Sequence, residues 1–457
     1  MERTKYEILR GQHPSFTYHD YSLTKTGSEI NIEYFFSMEN GPEFHPSIRI
    51  PTDNLDIVNQ FDSECGKRIV FSLGMVELVS YWKCACPPKV YVDCGHLDSF
   101  DISWWKRLYF GGLGEFHYIN GICADEESFM TIVPRVEHTH YHGEDFVSRG
   151  KNLITVGGGK DSAVTTDLLK EFKDDNLFFT VNDQEARTQT VLKGGYTEDK
   201  IVKTYRTIDK TLLELNGEGY LNGHTPFSAV VAFLSLYCAY LVGAENIVLS
   251  NESSANESNI KGSRVNHQYS KSFRFEEDFR EYVEKNIMDG INYFSMLRPF
   301  NELQIAKYFS KCKEFLPVFR SCNKGSKKNI WCGKCAKCLF VFIMLSPFVP
   351  YEKLIEIFGN DMLNDEDMTK DFDGLVNISG IKPFECVGTP EEIKLALYLL
   401  DKNFEGEKPL LLKRFNQNVN TEEIDFSLLK NYNAAHNVPD KFLPQMMEMY
   451  NYVASDN

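Results

Sequence analysis

Six consecutive residues, Gly157-Gly158-Gly159-Lys160-Asp161-Ser162, sit where a short apolar run (NLITV, 152–156) gives way to helical spacing at Val164, Leu168, Leu169 and Phe172. Consecutive glycines let backbone N–H groups approach an anion closely. A helix N-terminus adds partial positive charge, and Lys160 adds a full one. Ser162 can cap the helix and donate to a phosphate, and Asp161 can hold Mg²⁺. The plain alternative is a glycine turn with an Asp/Ser cap. Lys-Asp-Ser between a strand and a helix favours the phosphate site. The glycine spacing is neither that of a Walker A loop nor that of a dinucleotide fingerprint.

A second group is cysteine-based. Cys322, Cys332, Cys335 and Cys338 read C-x9-C-x2-C-x2-C. Four thiolates suit tetrahedral Zn²⁺, and two-residue gaps let neighbouring sulfurs share one ion. Four sulfurs leave no open coordination position, so the zinc would be structural. An iron–sulfur cluster is the weaker reading, because nothing else in the chain points to redox chemistry. Four unrelated thiols are the bland one.

Other polar segments stand where packing does not call for them. His224 lies in LNGHTPFSA (221–229), and Asn251 and Glu252 lie in SNESSANESN (250–259). His267, Ser270, Lys271 and Arg274 lie in 265–279, and Cys386 follows Glu385 in KPFECVG (382–388). Each has a simpler reading as a turn, a solvated loop or, for Cys386, a small buried hydrophobe. His138, His140 and His142 are spaced for a metal but read better as a polar linker.

The elements that must position these groups differ along the chain. In the first 148 residues, Ile30, Ile32, Tyr34 and Phe36 alternate with polar neighbours, and a turn at Glu39–Pro42 leads to renewed alternation at 47–50, a hairpin pattern. Helices over 64–83 and 104–120 and a strand at KVYVDC complete an expected α+β domain, 1–148. From 149 to 345 strands and helices alternate: NLITV, NLFFTVND (176–183), KIVKTY (200–205) and NIVLSNES (246–253). That pattern implies an α/β fold with a central parallel sheet covered by helices on both faces, with ligands at the carboxyl ends of strands. Residues 346–457 read as a helical extension packed on that core.

A formal charge of −16 argues against nucleic acid and anionic membrane as partners. The uncharged stretch 226–244 nearly reaches membrane-spanning length. It lacks Lys/Arg flanks and runs straight into a strand, so it reads as a helix buried against the sheet. The start shows no secretory signal, and four of the twelve cysteines cluster while eight are scattered. Reduced thiols in a cytoplasmic protein are expected.

The glycine loop resembles the Ser-Gly-Gly-Xaa-Asp-Ser signature of the PP-loop ATP pyrophosphatases, enzymes of a HUP-like, Rossmann-like fold that split ATP between its α- and β-phosphates. Gly157 replaces the first Ser, which removes a hydroxyl and no backbone donor. Further segments add to this: VSYWKCACPP (79–88), YFGGLGEFHYINGI (109–122), TVGGGKDSAVT (155–165), YFSMLRPFNELQIAKYF (293–309) and the histidine-, serine- and cysteine-bearing stretches above. In this order they resemble the UDP-N-acetylmuramoyl-L-alanyl-L-glutamate epimerases of bacterial peptidoglycan synthesis. The resemblance implies inversion of the terminal L-Glu of a UDP-MurNAc dipeptide, with ATP and Mg²⁺ consumed to AMP and pyrophosphate. The roles that follow place pyrophosphate on Gly157–Gly159, Lys160 and Ser162, and Mg²⁺ on Asp161. Adenosine falls to Asn182 or Asp183, the metal or activated carboxyl to Asn251 and Glu252, and the substrate's anionic groups to Lys271 or Arg274. His267, His224 and Cys386 are the acid/base candidates, since imidazole and thiol can titrate near neutrality. The competing readings are a PP-loop enzyme acting on a deazaguanine or on tRNA, since the enzymes making the nitrile precursor of queuosine carry a similar cysteine cluster, and a nucleotide-binding module without catalysis.

Overall fold

The computed structural model describes residues 3–136, 146–256, 269–378, 383, 385 and 387–455. His138, His140, His142, His267 and Cys386 lie outside the described residues. The strands are β1 (Ser15–Thr26), β2 (Glu29–Met38), β3 (Glu43–Phe44), β4 (Ser47–Pro51), β5 (Lys89–Val92), β6 (Thr131–Pro134), β7 (Lys151–Thr155), β8 (Asn176–Val181), β9 (Ile201–Thr207), β10 (Ala244–Leu249) and β11 (Asn292–Ser295). They form one eleven-stranded sheet in the order β11-β10-β7-β8-β9-β4-β2-β1-β5-β6, with β3 paired to β2.

The α/β class holds, but the sheet is mixed. β1–β2, β2–β4 and β4–β9 are antiparallel, while β1–β5 and β5–β6 are parallel. The N-terminal strands belong to the same sheet, and their antiparallel pairing is what makes it mixed rather than wholly parallel. The link is β9, whose Arg206 and Thr207 pair with Ile48 and Ser47. Alternation in β2 does what the sequence pattern implies: Ile30, Ile32, Tyr34 and Phe36 are all buried. In β1 a register shift between Tyr18 and Asp20 breaks the period of two, so no alternation marks the strand in the sequence.

Contacts divide the chain into two compact units. The first takes Met1–Leu153, Val202–Ile247 and Arg264–Asn292, and the second Ile154–Ile201, Val248–Ser263 and Tyr293–Asn457. In the first unit the helix Glu64–Trp82 is buried on nearly every side, as is Phe227–Val242. No helix among the described residues is long and apolar enough to cross a membrane. A buried Arg206–Glu77 pair is bidentate, with Nη2 2.7 Å from Oε2. In the second unit one apolar core joins Ile154, Phe178 and Phe294 to Leu397, Phe415 and Met449 of the C-terminal helices.

The Glu64–Trp82 helix lies so close to β1 and β2 that a Cβ on Gly74 would stand 2.1 Å from the Tyr18 hydroxyl and 2.7 Å from the Tyr34 ring. Only glycine permits that approach. Gly74→Ala should cost about 1–3 kcal/mol through overpacking, read as a lower urea midpoint with unchanged slope. An unchanged midpoint would mean that Tyr18 can swing aside freely.

Candidate functional site

The glycine loop leaves β7 after Thr155 and enters the helix Lys160–Leu168, with Gly159 at the N-cap in an extended conformation and no side-chain cap. Ser162 is therefore not the cap. Its hydroxyl donates back to the Gly159 carbonyl at 3.1 Å. No side chain caps the first-turn N–H groups, and such uncapped groups are what an anion site uses. Gly158 has φ of +83°, a conformation that places its carbonyl to accept from the Arg320 N–H at 2.7 Å. Gly157 is exposed, and a Cβ there would meet nothing within 4 Å. A Cβ on Gly159 would press to 3.2 Å from the Ser321 Cβ.

Lys160 is the electrostatic centre of the loop. Its side chain is only 4% exposed, and its ammonium bonds both Asp161 Oδ1, at 2.5 Å, and Glu302 Oε2. Burial works against its charge, and the two carboxylates more than restore it, so the proton is held far more tightly than usual. Glu302 opens the helix Glu302–Lys311, which Asn301 and Gln304 cap reciprocally. Burial pushes its carboxyl up to about 8 against the lowering pull of Lys160, and Asp161 and Glu252 add to the rise. The Glu302 amide in turn donates to Glu392 Oε1 at 2.6 Å. Glu392 belongs to the capping box of the helix Pro390–Asn403, and burial raises its carboxyl as well. Asp161 and Glu302 thus bond Lys160 directly, while Glu252 and Glu392 lie close enough to affect the group and Lys337 acts on Glu302 as a second cation. Neither Glu302 nor Glu392 was singled out by sequence. Each sits in a capping signature (N-E-L-Q, T-P-E-E) that reads locally as a helix start.

The 250–254 segment faces this group in the same unit. Glu252 is 6% exposed, and Arg298, wholly buried, donates to its carbonyl at 2.8 Å. Ser295 Oγ donates to the Asn251 carbonyl at 2.6 Å. A cavity of about 340 Å³ opens beside Glu392, lined by Ser253, Ser254, Asn301, Gln304 and Tyr432 among others. The buried Ser254 hydroxyl has no hydrogen-bond partner among the described residues. Asn182, exposed at the end of β8, adopts φ of +60°, and Arg187 donates to its carbonyl at 3.0 Å.

The four cysteines converge. All their sulfurs lie within 4.8 Å of one another, with Cys335–Cys338 at 3.5 Å and Cys332–Cys338 at 3.6 Å. A tetrahedral ion with Zn–S of about 2.3 Å separates its sulfurs by roughly 3.8 Å, so the donor set fits zinc.

The remaining expected residues belong to the first unit. Arg274 is exposed and lies 3.8 Å from Asp278, which also meets Arg107 at 3.4 Å. Lys271 closes the short turn Tyr269–Lys271. His224 is half-buried beside a feature that sequence did not flag. Lys83 is buried, its ammonium donates to the Gly223 carbonyl, and burial lowers it to about 8. The 79–88 and 221–224 segments thus lie side by side, with Leu221 N–H on the Cys84 carbonyl at 2.9 Å.

Residues 8–296 match the MurL N-terminal domain model and residues 318–427 the MurL C-terminal domain model. The chain belongs to the MurL family. Among curated relatives it is similar to the UDP-N-acetyl-alpha-D-muramoyl-L-alanyl-L-glutamate epimerase of Xanthomonas oryzae pv. oryzae, 31% identical over 84% of this chain and 85% of that one. It is also similar to the proteins of that name from Salinispora tropica (33%, 84% of each chain) and Micromonospora sp. (31%, 84% and 86%). The match to the MurL N-terminal model runs through the glycine loop, and the C-terminal one takes in the cysteine cluster and Glu392.

Two outcomes follow from this geometry. Between the ordinary carboxylate value and about 8, folded Glu302 keeps a proton that the unfolded chain has released. Stability should therefore fall as pH rises across that window, and Glu302→Gln should flatten the slope. Urea midpoints at about pH 5 and pH 8 check this, and equal slopes in both proteins would contradict it. Gly159→Ala should push the loop off Ser321 and weaken phosphate binding by about tenfold, roughly 1.4 kcal/mol. Ser321→Gly in the same chain should recover most of that loss, measured by calorimetry with pyrophosphate.

Proposed function

We propose that the chain is an ATP-dependent epimerase that converts UDP-MurNAc-L-Ala-L-Glu to UDP-MurNAc-L-Ala-D-Glu. The observation that carries the reading is a buried lysine, paired with two carboxylates at the head of a glycine-loop helix that no side chain caps, within a MurL-family chain.

The chemical problem is the α-proton of the terminal glutamate. Next to an ionised carboxylate it is too weakly acidic for a side chain, because the enolate would pile up negative charge. In the proposed reaction a carboxylate oxygen of the substrate attacks the α-phosphorus of ATP, and pyrophosphate leaves. The acyl-adenylate no longer carries the carboxylate charge, so a base can take the α-proton from one face and an acid return one on the other. Water then cleaves the mixed anhydride, giving AMP and the inverted acid. The sum is ATP and water to AMP and pyrophosphate.

The chain's residues have the following parts. Gly157–Gly159, Lys160 and Ser162 hold the pyrophosphate half, where the charge that leaves must be stabilised. Asp161 and Glu252 offer the hard oxygens that Mg²⁺ prefers, and Mg²⁺ when bound neutralises phosphate charge. Asn251 supports the activated carboxyl, Asn182 the adenosine, and Lys271 or Arg274 the anionic groups of the substrate. His224, His267 and Cys386 are the acid/base candidates. The setting of such a reaction is peptidoglycan precursor synthesis.

The test is incubation with UDP-MurNAc-L-Ala-L-Glu, ATP and Mg²⁺, followed by chiral analysis of the glutamate. D-Glu should accumulate with AMP and pyrophosphate, and Lys160→Met should cut AMP formation by roughly 100-fold or more. Inversion without nucleotide, or release of ADP, would overturn the reading. Loss of α-deuterium exchange in D₂O, with AMP still formed on a single turnover, marks the true base among the three candidates.

A further inference from the structure

We propose that Cys322, Cys332, Cys335 and Cys338 hold one zinc ion in a closed tetrathiolate, and that this ion keeps the glycine loop in its anion-binding shape through Arg320 and Ser321. The first half stands on the donor set. Four sulfurs lie within 4.8 Å of one another. The Cys335–Cys338 and Cys332–Cys338 separations, 3.5 and 3.6 Å, are far too long for a disulfide of about 2.05 Å and close to the tetrahedral spacing. The surroundings suit bound thiolates. The Gly325 N–H points at Cys322 Sγ at 3.2 Å, the kind of supporting donor that metal-bound ligands recruit. Cys335 is the N-cap of the ten-residue helix Ala336–Leu345, and Cys338 lies in its first turn, where the helix favours anionic sulfur. Cys322 and Cys335 are nearly buried and Cys338 fully so, and Trp331 packs between Phe319 and Phe358 beside them. An ion here has no open face for a substrate.

The second half stands on what lies next to the first ligand. Cys322 is preceded directly by Ser321 and Arg320. The Arg320 amide donates to the Gly158 carbonyl at 2.7 Å, and Ser321 forms the wall against Gly159. The Arg320 guanidinium closes the segment on itself, donating to the Phe319 carbonyl at 2.6 Å and to the Asn329 carbonyl at 3.3 Å. The segment Arg320–Cys322 is therefore a strap clamped at both ends, at one by the glycine loop and at the other by the metal ligand Cys322, with Asn329 of the Cys322–Cys332 gap bracing Arg320. A strap freed from its ion would let Arg320 and Ser321 drift, and with them the peptide planes of Gly158 and Gly159. Arg320 and Ser321 are positioning residues in this scheme. This half rests on the reading of the loop as a nucleotide phosphate site.

The experiment uses the full chain purified without chelator under reducing conditions. Elemental analysis should find about one zinc per chain, and Cys332→Ser, at the most accessible of the four thiols, should lower it to a small fraction. Less than a tenth of an equivalent in wild type, or iron in place of zinc, overturns the site. Stripping the metal with a mercurial and chelator should weaken ATP binding, followed by calorimetry, at least tenfold with the circular dichroism kept, and re-adding zinc with thiol should restore it. Arg320→Pro, which deletes the amide on Gly158, should keep its zinc and lose the same affinity. Unchanged affinity in both the stripped protein and Arg320→Pro overturns the coupling and leaves the metal count to decide the site. Failure of loaded wild type to bind ATP at all sinks the coupling together with the nucleotide reading, while the zinc result stands by itself.

Discussion

A single buried ammonium organises the second unit. Lys160 cannot sit at 4% exposure unless its charge is met, and it is met by Asp161 next door and by Glu302 from a helix 142 residues further along. Charges removed from water are costly unless paired and hydrogen-bonded. This fixes where the Glu302–Lys311 helix begins, which way the glycine-loop helix faces, and through the Glu302 amide where Glu392 must lie. Burial, with the neighbouring carboxyls Asp161 and Glu252, raises the Glu302 carboxyl against the pull of Lys160. The acidic surplus around Lys160 is one of buried carboxyls, Glu252, Glu302 and Glu392.

The glycine loop is held from two sides by different chemistry. On its helix side the anchor is ionic. On its open side the anchor is a backbone hydrogen bond from Arg320 and a steric wall at Ser321, both immediately before the first cysteine of the cluster. Neither anchor occupies the first-turn N–H groups. A loop already rigid before any ligand arrives spends no binding energy on being ordered.

What the sequence made legible follows a physical line. The glycine loop and the cysteine cluster each concentrate their chemistry within seventeen residues or fewer, and local spacing was enough to find them. Glu302, Glu392 and the Arg320–Ser321 contact are long-range, and each was masked by a local role: two in helix caps, one in a loop. The apolar helix Phe227–Val242 was read for what it is, since a strand follows at once. β1 was not, because its bulge and its solvated second half erase the alternation. The mixed character of the sheet was equally unreadable. Whether β9 accepts a neighbour from the N-terminal region depends on an exposed sheet edge, and no residue pattern in either segment states it.

Glu392 has a further meaning for how the chain can be divided. Its carboxylate closes its own helix cap through Thr389 and receives the amide that opens the helix bearing the lysine's counter-ion. A truncated polypeptide ending ahead of Thr389 would retain every residue of the glycine motif, yet strand a buried N–H and unseat the acid behind it. The segment from Thr389 onward is thus a foundation rather than an appendage, and the motif alone is not a portable cassette.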